Sequence, residues 1–191
     1  MLNNALIFLL QAILGLLILA FLLRFYFQLT QVSFQQQAAQ IIMTLTNFAV
    51  KPVRRIIPSF RKIDLSTLLL AYITQLVLTC ATLWLKGFPL LVAGNSIWLT
   101  VMLVALLGIV SMSISIFMYA VLIQAILSWI NPYTPIAPVL DKLTFPVLRT
   151  LRRFIPHAGS LDLSPLVFII AAQLLLTTIL IPIENVLLAN L

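Results

Sequence analysis

The chain has 191 residues, of which 63% are hydrophobic and only 8% charged, and its formal net charge is +7. Water-soluble domains carry about 25% charged residues, so this composition excludes an ordinary soluble fold and indicates a protein of the lipid bilayer. The single cysteine, Cys80, excludes an intramolecular disulfide, and the single histidine, His157, cannot alone form a multidentate metal site.

Four apolar runs are long enough to span a bilayer, which requires about 20 residues. The first, residues 5–23, has no basic segment before it and no small-residue cleavage site, so we expect a retained span rather than a signal peptide. The other three are Leu65–Leu85, Ile97–Ile130 and residues 163–181. The Ile97–Ile130 run is longer than a hydrocarbon core of about 30 Å requires, so this helix must tilt, project beyond the membrane or begin in its interface. The predicted fold class is an all-α membrane protein with four transmembrane helices.

Basic residues concentrate in two connections. One lies between spans one and two, and the other lies between spans three and four. The positive-inside rule places both in the cytoplasm. We therefore predict a multi-pass membrane protein with both termini outside the cytoplasm.

The two basic connections share one sequence pattern, which reads VRRIIPSFRKIDLST from Val53 and LRRFIPHAGSLDLSP from Leu151. A constant offset of 98 residues pairs Arg54 with Arg152, Arg55 with Arg153, Pro58 with Pro156, Asp64 with Asp162, Gln75 with Gln173 and Thr79 with Thr177. Upstream, an offset of 100 places Arg24 opposite Gln124. We predict one membrane domain, residues 1–191, built as two parallel helix-loop-helix repeats over about 5–87 and 97–189.

An amphipathic helix is predicted before each basic motif. Apolar residues recur at helical spacing over residues 34–48 and again over residues 136–151. Such helices fit the cytoplasmic interface, with the apolar face toward acyl chains and the basic end toward anionic headgroups. The alternative is that the apolar face packs on the protein itself.

The motif admits a structural and a binding interpretation. Pro58 and Pro156 end a helix, Ser66 and Ser164 are placed as N-caps of the following spans, and each aspartate could neutralise an arginine. In the binding interpretation, Arg54, Arg55, Pro58, Asp64, Arg152, Arg153, Pro156 and Asp162 form two sites for lipid headgroups or an acidic partner. The repeated position of the basic residues relative to Pro and Asp supports the binding interpretation, although duplication alone would also preserve it.

Polar residues inside the spans are costly in lipid and therefore informative. Gln75 and Thr79 share one helix face, and Gln173 and Thr177 repeat it. This face is either a polar pathway or hydrogen-bonded contact between helices. Arg24, near the end of span one, is expected to snorkel to the interface.

No enzyme motif is present: the sequence contains no GxGxxG, Walker or HExxH pattern. We expect a protein without enzymatic activity, bound cofactor, metal or nucleic-acid partner. The net positive charge favours anionic lipids of the membrane as partners, together with a protein partner or a homo-oligomer. His157 corresponds to Ser59 in the first repeat, so the histidine is not duplicated. We therefore expect His157 to be an exposed loop residue.

The basic-x-x-Arg-Arg-apolar-apolar-Pro motif with its Asp-apolar-Ser sequence resembles the YGGT family of integral membrane proteins, in the two-copy form common in Gram-negative bacteria. The family more often has a small, glycine-containing turn before the aspartate; the second copy has HAGSLD there, whereas the first has SFRKID, without glycine. The resemblance implies a non-enzymatic inner-membrane protein. Relatives are associated with cell division, osmotic tolerance, cation uptake, haem attachment and nucleoid distribution.

Three functional hypotheses follow. The first is a membrane scaffold or assembly factor that docks anionic lipid or a protein partner through the Arg-Arg-Pro loops. The second is a small transporter or channel component for a cation or osmolyte. The third is a haem or cytochrome maturation factor centred on His157.

Overall fold

The computed structural model describes residues 2–57, 63–88, 95–131, 133–153 and 162–189. Its elements are α1 (Leu2–Leu29), α2 (Gln37–Ile56), α3 (Leu65–Leu85), α4 (Asn95–Ile130), α5 (Ala137–Leu151), α6 (Ser164–Leu175), a π-helical segment (Leu176–Leu180) and α7 (Ile181–Ala189). Within these described ranges, four helices are long and apolar enough to cross a membrane: Leu2–Leu29, Leu65–Leu85, Ile97–Ile130 and the continuous Ser164–Ala189. The predicted all-α class with four spans is confirmed.

The spanning helices pack in chain order. Helix α1 lies along α3, α3 packs against α4, and α4 packs against α6. The shorter α2 packs on α1, and α5 packs on α4. One buried cluster joins α1, α2, α3 and α4 around Phe21 and Ile109, and a second joins α1, α2, α4 and α5 around Phe27 and Leu143. These clusters fix α2 and α5 at the end of the spans that carries the basic motifs.

The outer surface of the spans is apolar. Large side chains such as Phe8, Ile13, Leu99 and Val186 are exposed along them. In water this surface would drive aggregation, whereas acyl chains cover it without cost. The packing therefore agrees with a multi-pass membrane protein.

Helix α1 ends in a left-handed turn. Gln31 has φ of 55°, and the amide of Val32 donates to the carbonyl of Phe27 (2.9 Å). This is the six-to-one bond of a Schellman cap, which satisfies a carbonyl that the helix end would leave free. Lys142 of α5 donates to the Gln31 carbonyl (3.3 Å), so the turn also anchors the second short helix.

A π-helical segment interrupts the last span ahead of Pro182. Proline lacks an amide donor and its ring crowds the carbonyl four residues earlier, which favours local widening of the helix. The hydroxyls of Thr177 and Thr178 donate to the carbonyls of Gln173 (2.9 Å) and Leu174 (2.6 Å). Each hydroxyl thus gives a backbone carbonyl an additional hydrogen bond at the point where the regular hydrogen bonding of the α-helix is disturbed.

The two short helices present their apolar faces differently. In α5, Leu140 and Leu143 are buried against the α1–α4 core, so this helix packs on the protein itself. In α2, Val50 is buried but Ile41 and Phe48 lie on the outer surface. Among the described residues, α2 therefore exposes more large apolar side chains than α5, in which Phe145 is exposed.

Candidate functional site

The first arginine of the first motif ties three helices together. Arg54, in the last turn of α2, forms an ion pair with Asp64, the residue before α3, and donates to Oε1 of Gln28 on α1 (3.0 Å). The Asp64 side chain is fully buried, whereas Arg54 retains 37% exposure. A buried carboxylate needs such a cation, so this contact is a structural one.

The second motif repeats the pairing in a more open setting. Nε of Arg152 donates to Oδ2 of Asp162 (2.8 Å), and the two side chains are 44% and 29% exposed. Asp162 also accepts the backbone amide of Ser164 (3.0 Å). Partial burial raises the pKa of Asp162, but hydrogen bonds from Ser164 and Arg152 together with the charge of Arg152 outweigh it and lower that pKa below its usual value.

The expected serine N-caps are wrong. Helix α3 begins at Leu65, so Ser66 lies inside it, and the Ser66 hydroxyl donates to the carbonyl of Ile57 (2.5 Å). Helix α6 begins at Ser164 itself, and the carboxylate of Asp162 accepts its amide. In the second motif the aspartate thus supplies the acceptor at the positive end of the helix, whereas Asp64 in the first motif makes no such bond and pairs with Arg54.

The second arginine of each motif points outward. Arg55 and Arg153 are exposed, and neither has a hydrogen-bond or ion-pair partner within the described part of the chain. Exposed Lys51 and Arg149, three residues before each Arg-Arg pair, extend the basic surface. Pro58, Pro156 and His157 lie outside the described residues.

Arg24 is buried rather than snorkelling, so that expectation is wrong. It is only 4% exposed, and its Nη1 donates to Oγ1 of Thr46 (2.7 Å), Oδ1 of Asn47 (3.0 Å) and the carbonyl of Met43 (3.4 Å). Helix α2 lies across this part of α1 and supplies all three acceptors. A guanidinium with several acceptors is stabilised internally and need not reach water.

At the corresponding position in the second half of the chain, a glutamine replaces the arginine and forms the hydrogen bonds. Gln124 donates to Oδ1 of Asp141 (2.6 Å), and Thr144 donates to Oε1 of Gln124 (2.5 Å). Gln124 stands opposite Arg24 and Thr144 opposite Thr46 at the offsets found in the sequence. Sequence reasoning missed this pair of networks, although the threonine that recurs at the offset of 98 residues was a usable signal.

The four intramembrane polar residues do not share an environment. Thr79 is buried, and Gln75 lies directly against Gly108 of α4, where a methyl group would come within 2.8 Å of Cδ of Gln75. Gln173 and Thr177 lie on the outer surface of the last span. The predicted face therefore forms a helix contact in α3 and an exposed strip in α6 and the π-helical segment.

Within the described residues, no group of three or more His, Cys, Asp or Glu side chains could hold a metal ion. Cys80 is a free, half-buried thiol on α3.

Comparison with known proteins identifies the family. The family model CCB3/YggT matches residues 3–85 and 103–183, which together cover most of the chain. The chain belongs to the CCB3/YggT family. The predicted resemblance is thereby confirmed.

Several relatives in this CCB3/YggT group are similar along nearly their whole length. The uncharacterized protein PA0392 of Pseudomonas aeruginosa is 36% identical over 91% of this chain and 87% of its own. An uncharacterized protein encoded in the proC 3' region of Vibrio alginolyticus is 35% identical over 89% and 90%, and the uncharacterized protein YggT of Escherichia coli K12 is 32% identical over 87% and 85%. No solved structure matches the chain.

Proposed function

We propose that this membrane protein is a non-enzymatic scaffold or assembly factor that docks anionic lipid headgroups or an acidic protein partner through Arg55 and Arg153. The observation that carries the proposal is that the first arginine of each Arg-Arg pair forms an ion pair and the second does not. Arg54 and Arg152 form ion pairs with Asp64 and Asp162, whereas Arg55 and Arg153 are exposed and have no partner within the described part of the chain. Each ion pair restrains the backbone that carries the following, unpaired arginine.

An exposed guanidinium on a fixed backbone suits phosphate or carboxylate recognition. Its planar donors can hold either group in a bidentate manner. Near an anionic membrane surface, each basic residue contributes about 1 kcal/mol of attraction. Because Arg55 follows Arg54 and Arg153 follows Arg152 directly, the ion pairs restrict where the two outward charges can lie.

The proposal includes an inner-membrane location with both termini outside, since the positive-inside rule then places Arg55 and Arg153 in the cytoplasm. It also includes a role in cell division or in the response of the envelope to osmotic stress, which rests on the family resemblance. A cytoplasmic basic surface would suit either process.

Transport of a cation or osmolyte is the weaker candidate. A pathway along the repeat interface would require the polar faces of α3 and α6 to converge, but Gln75 packs on α4 whereas Gln173 lies on the outer surface. Within one chain, these residues therefore do not line a common path. Ion flux into proteoliposomes that is lost in Gln75→Ala would favour transport instead.

The test is photo-crosslinking in native membranes, with photoreactive residues at the exposed positions Ile56 and Thr150 so that both arginines stay in place. We expect adducts with anionic phospholipid or with a discrete protein, and their loss in Arg55→Ala combined with Arg153→Ala. A probe at Trp84, exposed at the other end of α3, is the positional control.

The matched control for charge is Lys51→Ala combined with Arg149→Ala, which removes the same number of exposed basic groups from corresponding positions. If both double variants reduce the adducts equally, net charge alone explains the attraction and the docking role is refuted. Absence of adducts from both probes would refute it as well.

A further inference from the structure

A polar cleft of about 300 Å³ lies between α4 and α5, beside the second basic motif. Among the described residues, Gln124, Ser128, Asp141 and Arg152 supply its polar lining, and Leu127, Ala137 and Leu140 supply its aliphatic lining. The corresponding place in the first half of the chain is occupied by the protein's own side chains. There, Arg24 bonds Thr46 and Asn47, and Gln28 bonds Arg54.

Two substitutions between the halves open this space. Gln124 stands where the first half has Arg24, and Ser128 stands where it has Gln28. Both side chains are shorter than their counterparts, so neither fills the volume that the guanidinium and the longer amide fill in the first half. The Gln28 contact to Arg54 has no counterpart among the described residues, because Ser128 is too short to reach Arg152.

The charges lining the cleft have both signs. Asp141 replaces Met43 and uses Oδ1 to accept from Gln124, which leaves Oδ2 without a partner in the described chain. Arg152 uses Nε for Asp162, and its two terminal nitrogens have no partner there either. A lone cation would meet Arg152 and a lone anion would meet Asp141, so the complementary ligand is a zwitterion.

The surroundings place the cleft at headgroup depth. Trp129 and Tyr133, which follow Ser128 at the end of α4, are strongly exposed, as is typical of aromatic belts at a membrane interface. Trp98 is exposed near the other end of the same helix. At about 1.5 Å per residue, the separation of the two tryptophans is close to the ~45 Å thickness of a bilayer with its headgroups.

The polar cleft also adjoins an apolar one. A cleft of about 510 Å³ between α1, α2, α4 and α5 is lined almost wholly by aliphatic and aromatic side chains, and Leu140 lines both spaces. Because Leu140 borders both spaces, an acyl chain in the apolar cleft would lie beside the polar one. The neighbouring polar and apolar clefts thus match the charged headgroup and the acyl chains of a phospholipid.

We propose that the cleft formed by Gln124, Ser128, Asp141 and Arg152 binds the headgroup of a phosphatidylethanolamine molecule. The ammonium group lies beside Asp141, in the volume that Arg24 fills in the first half, and the phosphate faces Arg152. This site is separate from the docking surface of Arg55 and Arg153. Asp141→Asn and Ser128→Gln leave Arg55, Arg153 and the Arg152–Asp162 ion pair in place, so failure of this inference is distinguishable from failure of the docking proposal.

The test uses the purified full-length chain in detergent, with binding of dioctanoyl phospholipids measured by native mass spectrometry. Phosphatidylethanolamine is expected to bind roughly tenfold more tightly than phosphatidylcholine, whose ammonium cannot donate hydrogen bonds, or phosphatidylglycerol, which has no cation. Asp141→Asn should remove that preference. Ser128→Gln, which introduces the first-half residue, should fill the cleft and weaken phosphatidylethanolamine binding by a similar factor.

Ser128→Ala is the matched control, because it keeps the cleft open and should bind as the wild type does. Equal or tighter binding of phosphatidylglycerol, or an unchanged preference in Asp141→Asn, would overturn the inference. Water-soluble glycerophosphoethanolamine distinguishes the two sources of the zwitterion. If it binds as tightly as the lipid does, the assignment to a membrane lipid is overturned.

Discussion

Nη1 of Arg24 lies 2.7 Å from Oγ1 of Thr46, and Oε1 of Gln124 lies 2.5 Å from Oγ1 of Thr144. Both contacts join a spanning helix to the short helix that follows it, at positions related by the offsets seen in the sequence. In the first half the donor is a buried cation, and in the second half the same position holds a neutral amide. Because of this difference, side chains of the protein fill the polar space in the first half, whereas the second half has an open cleft.

We expect Arg24→Ala to lower the free energy of unfolding by about 1–3 kcal/mol, because it leaves the acceptors on Thr46 and Asn47 unpaired in a buried place. Arg24→Gln should cost less, since glutamine can retain the Thr46 contact. Thermal unfolding of both variants in detergent micelles measures the difference. Arg55→Ala, at an exposed position, is the control and should unfold as the wild type does. Equal stability of Arg24→Ala and wild type would contradict the buried network.

The first arginines of the two motifs should differ in their effect on stability. Arg54→Ala leaves the fully buried Asp64 carboxylate without its cation and should cost about 3 kcal/mol. Arg152→Ala leaves a carboxylate that water still reaches and should cost under about 1 kcal/mol. Denaturant unfolding of the two variants side by side compares them, and equal losses would show that burial of the aspartate does not set the cost.

Asp162 gives the second motif a pH-dependent contribution to stability. Its pKa is lowered in the folded chain, so the contribution is present above the ordinary value of about 3.9 and is lost as the pH falls through the lowered value. The difference in Tm between wild type and Asp162→Asn should stay constant from pH 7 to about pH 5 and shrink below about pH 4. A difference that grows toward acid pH would have the wrong sign.

Gly108 allows α4 to approach Gln75 of α3. A methyl group there would lie 2.8 Å from Cδ of Gln75 and closer still to its Nε2, so Gly108→Ala should displace this amide, which ends a flexible side chain, at a cost of about 1 kcal/mol or less. Gln75→Ala in the same chain should recover most of this loss, which a double-mutant cycle would measure. Gly15→Ala is the control, because nothing lies within 4 Å of that position and alanine favours the helix. An equal effect of the two single alanine substitutions would refute the close contact.

The orientation can be tested by cysteine labelling. In a Cys80→Ala background, Arg55→Cys and Arg153→Cys should react with a membrane-impermeant maleimide only after the inner membrane is permeabilised, because both basic loops are predicted to face the cytoplasm. Trp84→Cys, at the opposite end of α3, should react in intact spheroplasts. The reverse pattern would establish the opposite topology.

The spans and the family could be predicted from the sequence because lipid imposes simple rules. A hydrocarbon core demands about 20 apolar residues in a helix, so the predicted Leu65–Leu85 and Ile97–Ile130 spans agree with the structure. The Arg-Arg-Pro motif identified the family because its charges and turns recur at fixed spacing. The pairing of each aspartate with an arginine was likewise predictable, since opposite charges in one short connection have few other partners.

Only the tertiary structure decided which side of each helix is covered. Gln75 and Gln173 stand at corresponding positions in the sequence, yet one packs on Gly108 and the other lies on the outer surface. Arg24 is buried because α2 crosses α1 at its level and brings three acceptors to it. Such environments depend on contacts between segments far apart in the chain, and local composition and periodicity carry no information about those contacts.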